Sequence, residues 1–115
     1  MSDDPVAEKR WFGARCVFRW RSPKPPEGGE CYEERIIVLR AVSFRHAFFR
    51  AEEDARRYAV EVDAEYIDYV DVYELSEDDL GDTAEVFSLL RDSDLGPKEY
   101  LARHFETGRE RWMIR

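Results

Sequence analysis

The sequence predicts an α+β fold with the order β-β-α-β-β-α: an antiparallel-rich four-stranded sheet with the main helix, about residues 43–62, on one face. Three observations carry this. Residues 11–21 alternate with period two. Residues 44–62 repeat apolar side chains at helical spacing. A Pro/Gly-rich loop, residues 22–29, separates the first strand from the second.

The first strand turns Phe12, Ala14, Cys16, Phe18 and Trp20 to one face and Trp11, Gly13, Arg15, Val17, Arg19 and Arg21 to the other. The second spans about 30–42. Its apolar centre, Ile36 to Leu39, reads as an interior strand. Folding the two strands about the loop with Arg21 opposite Glu30 sets Phe12 against Leu39, Ala14 against Ile37, Trp11 against Arg40 and Arg19 against Tyr32. A one-residue slip would mix the faces. Cys16 and Cys31 then share a face but sit four residues apart along the strands, too far for a disulfide, so two free thiols are expected.

Ser43 is placed to cap the main helix. Phe44, Ala47, Phe48, Ala51, Ala55, Tyr58, Ala59 and Val62 form its expected buried stripe. Glu52–Arg56 and Glu53–Arg57 are expected ion pairs. The third strand is expected at 66–75 and the fourth at 85–90, separated by an acidic turn. The crossover through the helix leaves strands two and three parallel, as neighbours or one strand apart. Gly96-Pro97 opens a second helix, which Gly108 is placed to end. Residues 1–10 are expected to be a flexible N-terminus and 11–115 a single domain. The apolar tail Trp112-Met113-Ile114 is expected to dock.

No phosphate-binding glycine loop, nucleophile elbow or metal-binding spacing occurs. No catalytic residue, cofactor or metal is therefore expected. Two cysteines, no apolar run of membrane-spanning length and no signal sequence make the cytoplasm the expected compartment. Net charge is −8 and unevenly spread: residues 1–50 carry ten basic and seven acidic side chains, residues 51–115 eight basic and nineteen acidic.

That asymmetry serves solubility in the plainest reading; the sharper one, and the leading functional reading, is a non-enzymatic interaction module whose acidic C-terminal portion recognises a basic protein partner. The alternative is an enzyme or small-ligand-binding domain using Arg15, Glu33, Arg35, Glu85 and Arg91. A lesser alternative is single-stranded nucleic acid on the basic, aromatic first strand, a reading that the net acidity disfavours. A homodimer is expected, through the second sheet face (Trp11, Val38) or a helix stripe of Phe49 and Val60.

Four segments, Trp11-Phe12-Gly13-Ala14-Arg15, Tyr32-Glu33-Glu34-Arg35-Ile36, Tyr73-Glu74-Leu75 and Glu85-Val86-Phe87-Ser88-Leu89-Leu90-Arg91, together resemble a small bacterial family catalogued only as a domain of unknown function (4288). The resemblance extends from Trp11 to about Phe105. It implies a bacterial stand-alone domain and supplies no activity, so no functional residue carries over.

Overall fold

The computed structural model describes residues 8–76 and 79–112. The element order is ββαβα: β1 (Arg10–Trp20), β2 (Cys31–Ala41), α1 (Phe44–Val62), β3 (Ala64–Glu74) and α2 (Pro97–His104). The three strands form one antiparallel sheet in the order β2-β1-β3. β2 and β3 are thus parallel and one strand apart.

The β1–β2 register is the one that the alternation predicts: Phe12 faces Leu39, Ala14 faces Ile37, Cys16 faces Arg35 and Trp20 faces Cys31. Both cysteines are free thiols. β2 is an edge strand, not an interior one. The centre belongs to β1, whose helix-facing side chains Phe12, Ala14, Cys16 and Phe18 are all buried.

Ser43 Oγ accepts from the His46 amide at 3.1 Å, and His46 Nδ1 accepts from the Val42 amide at 3.1 Å. Two amides at the entry to α1 are thereby satisfied, with histidine in the place that glutamate takes in a capping box. Asp63 closes the helix in the left-handed region (φ 54°), its amide bonded to Ala59 and Val60 carbonyls. α1 meets the sheet through Ala47, Ala51 and Ala55, which lets the two backbones approach closely. Phe12 anchors one end of the interface, with Leu39, Ala41, Ala47 and Ala51. Phe18 anchors the other, with Ala55, Tyr58, Ala59 and Ala64. Val70 packs against both groups.

Several expectations are corrected here. Among the described residues the sheet has three strands, because residues 85–90 form no strand. β3 occupies 64–74, two residues earlier than expected. Phe44 is 51% exposed and Phe48 40%, although the Phe44 ring still meets Phe12 edge-on at 5.1 Å. Glu52–Arg56 forms at 3.5 Å, but Arg57 turns to Asp54 and Glu61 instead of Glu53. α2 ends at His104, before Gly108, buries no residue and packs against no other element. Trp112 is exposed. The tail's Met113 and Ile114 lie outside the described residues. So do residues 1–7 of the expected flexible N-terminus, and Arg10 already belongs to β1.

Candidate functional site

Part of the charge asymmetry along the chain is paired off inside the fold. Antiparallel pairing of β1 with β3 brings N-terminal arginines onto later carboxylates. Arg10 meets Glu74 at 2.7 Å, Arg15 meets Asp71 at 3.8 Å, and Arg19 meets Glu65 at 2.7 Å. Arg21 meets Asp63 at 3.1 Å, just outside the strands. The Glu65 carboxylate is the main reason that the Arg19 guanidinium pKa is raised. Arg40 lies 5.5 Å over the Trp11 ring; Arg19 stands opposite Tyr32 as the register predicts, while its guanidinium reaches across to Glu65. The aromatic first strand therefore presents paired cations, not the run of open ones that a nucleic-acid groove uses.

The helix-facing side holds a polar cluster. Glu33 accepts from Trp20 Nε1 at 3.1 Å and from Tyr58 Oη at 2.8 and 2.9 Å. Arg35 donates to Asp54 at 2.8 Å and stacks 4.0 Å from the Tyr58 ring centre. Tyr66 donates to Glu52 at 2.8 Å. Burial and that hydrogen bond raise the pKa of the Tyr66 phenol. The Tyr58–Glu33, Arg35–Asp54 and Tyr66–Glu52 links tie β2 and β3 to α1, and Trp20–Glu33 joins β1 to β2, so the cluster fastens the helix to the sheet.

Cys16 sits among these groups. Burial pushes its thiol up to about 11, against the opposing pull of Arg35; Asp54 and Glu52 add to the rise. Desolvation outweighs the guanidinium, so Arg35 does not bring the thiol below its ordinary value. The unfolded chain releases this proton near the ordinary value of 9.0, the folded chain only near 11. Between those values the unfolded state binds fewer protons, so stability is expected to fall as pH rises from about 9 to about 11. Urea midpoints across that window should drop, and Cys16→Ala should remove part of the slope. The remainder belongs to tyrosines such as Tyr66 and Tyr73, whose pKa values are also raised.

The opposite sheet face is partly covered by the segment that reads as a fourth strand. Tyr73 Oη donates to the Val86 carbonyl at 2.7 Å. Phe87 lies 5.7 Å from the Tyr73 ring and 5.3 Å from the Arg15 guanidinium. The Tyr73 ring occupies the space over Gly13, its partner across the strands: a Cβ on Gly13 would stand 2.3 Å from that ring. Burial raises the Tyr73 phenol pKa, with Asp71 adding to it. Phe87 pulls the segment across the face instead of along an edge. The β3 edge is also interrupted: two extra residues bulge between the Cys16–Val70 and Phe18–Tyr66 pairs.

The five candidate ligand residues do not converge. Arg15 is on the far face and Glu33 and Arg35 on the helix face. Glu85 is exposed, and Arg91 binds the Tyr100 hydroxyl at 3.0 Å, beyond the sheet. Two surface depressions are shallow and charged: one among Arg50, Glu53, Asp54 and Arg57 on α1, one among Phe105, Glu106, Gly108, Glu110 and Trp112.

What the chain does present is an acidic ribbon. Asp79, Asp82, Glu85, Asp92 and Asp94 are all exposed, and none forms a salt bridge among the described residues. Leu89 and Leu90 project from the same stretch, Leu90 at 95% exposure. Composition signals its acidity. Its lack of a strand partner is not legible there. The proposed self-association residues also fall apart into two groups: Phe49 and Val60 are exposed on α1, Val38 is exposed on β2, and Trp11 is half-buried under Arg40.

A family model described as a domain of unknown function (DUF4288) matches residues 11–88. The chain belongs to that family. The DUF4288 match takes in β1, β2, α1, β3 and the Tyr73–Val86–Phe87 contact, and stops short of α2, so it is narrower than the span to Phe105 that the motifs suggest. No curated protein and no solved structure matches the chain. No helix among the described residues is long and apolar enough to cross a membrane.

Proposed function

We propose that this DUF4288 chain is a small non-enzymatic interaction module of a bacterial cytoplasm, which binds a basic protein partner through the acidic ribbon 79–95. One observation carries the reading. The fold neutralises carboxylates on β3 and α1 with arginines, and leaves five in this ribbon without an ion pair. An exposed, predominantly acidic stretch, with Arg91 its one cation, steers an oppositely charged partner, and the nearby Leu89 and Leu90 supply apolar contact. Steering of this kind is screened by salt, with a Debye length near 10 Å at 0.1 M. A basic partner isolated from the native host should therefore be lost as NaCl rises from about 0.05 to about 0.5 M. Neutralising the five carboxylates to Asn or Gln should abolish its retention at low salt. Binding indifferent to both changes would remove the proposal.

The module is also read as a homodimer. Exposed apolar side chains remain on both surfaces beside the ribbon: Phe44, Phe48 and Phe49 on α1, and Tyr32, Ile36 and Val38 on β2. A two-fold partner is the commonest cover for such surface.

A further inference from the structure

We infer that a second copy of this chain pairs along the free edge of β2, antiparallel and two-fold symmetric, with Ile37 opposite the partner's Ile37. The inference rests on the dimer reading and adds to it a surface and a register.

The two sheet edges are not alike. The β3 edge is broken by its bulge, where Asp68 adopts a left-handed conformation (φ 61°), a device that discourages strand addition. The β2 edge runs for eleven residues, Cys31–Ala41, without proline, glycine or bulge. Arg50 donates to the Arg40 carbonyl near its end, a contact that an exposed side chain can exchange.

Geometry then limits the register. Residues of an edge strand direct their backbone groups outward alternately, so antiparallel self-pairing must oppose residues of like parity. With Ile37 on the axis, Ile36 meets the partner's Val38 and Glu34 meets the partner's Arg40, each twice by symmetry. Centring on Ile36 sets Glu34 against the partner's Val38. Centring on Val38 sets Ile36 against the partner's Arg40. Among the three, only the Ile37 register pairs apolar with apolar and opposite charges with each other on the far face. Ile36 and Val38 are exposed, Glu34 is only loosely held by Arg15, at 4.0 Å, and the exposed Arg40 has to exchange its place 5.5 Å over the Trp11 ring for the partner's Glu34.

Sedimentation equilibrium on the full chain at low salt tests this. Glu34→Arg or Arg40→Glu, each placing like charges opposite one another, should weaken the dimer roughly tenfold. The double exchange Glu34→Arg/Arg40→Glu should restore it. In a Cys31→Ser chain, Ile37→Cys should form an intermolecular disulfide on mild oxidation, whereas Ile36→Cys and Val38→Cys should not. A dimer that ignores the charge exchange, or that cross-links at position 36 or 38 instead, overturns this register and leaves the dimer reading in place. A monomer at about 100 µM overturns both, and leaves the acidic-ribbon reading untouched.

Discussion

Phe18→Ala is expected to cost about 3–5 kcal/mol of folding free energy, a large part of the roughly 5–15 kcal/mol that holds a domain of this size together. Phe18 is fully buried at the centre of the sheet. Its ring meets Tyr58 edge-on at 5.0 Å and Tyr66 at 5.7 Å. The other buried members of its cluster are small, Cys16, Ala55, Ala59 and Ala64, with Trp20, Val62 and Val70 partly buried at its margin. Alanines cannot reach into the space left behind, and Tyr58 and Tyr66 are held in place by hydrogen bonds to Glu33 and Glu52. The cavity therefore stays open, which puts the loss at the upper end of its class. Urea denaturation should show a lower midpoint with an unchanged slope. Phe18→Leu, which retains most of the volume, should lose much less. Equal losses for the two would mean that the Phe18 site collapses and that the tyrosines are not fixed.

Gly13→Ala should destabilise the chain by about 1–3 kcal/mol and free the ribbon from the sheet. The added methyl would overlap the Tyr73 ring, at 2.3 Å from Cε2 and 2.5 Å from Oη. The ring must swing away. That breaks its hydrogen bond to Val86 and its contact with Phe87, and Phe87 in turn leaves Arg15. Restricting the unfolded backbone returns only about 0.4–1 kcal/mol. Amide exchange across residues 84–90 should accelerate while exchange in β1 and α1 follows the smaller global change. Tyr73→Phe separates the two contributions, because it removes the hydrogen bond and keeps the ring over Gly13. A Gly13→Ala protein with unchanged protection over 84–90 would show that the ribbon is held by something other than Tyr73.

The β1–β2 hairpin was readable because its determinants are local. Alternation fixes which side chains face together, and the 22–29 loop fixes where the chain returns, so a pairing such as Phe12 with Leu39 follows from spacing. Ser43 announces the start of α1 for the same reason. Glu85 to Leu90 misled because its composition suits a strand as well as any strand in the chain. A strand needs a free, straight edge to pair with, and the bulge in β3 and the pull of Phe87 toward Tyr73 belong to distant residues. Ile36 to Leu39 misled in the opposite direction. Apolar side chains on both faces mark an interior strand when the sheet is covered twice, but here they lie at an open edge.

The sequence by itself determined the α+β class, the hairpin register, the extent and capped start of α1 and membership of DUF4288, since each is written in spacing over about thirty residues or fewer, or in the order of short motifs. Only the tertiary structure decided that β1 is central. It also decided that arginines of residues 10–21 neutralise carboxylates of residues 63–74, and so which acids are left for a partner. Those outcomes depend on the β1–β3 pairing, which joins residues some fifty positions apart and is held in the folded chain by α1 lying across the sheet over Phe12 and Phe18.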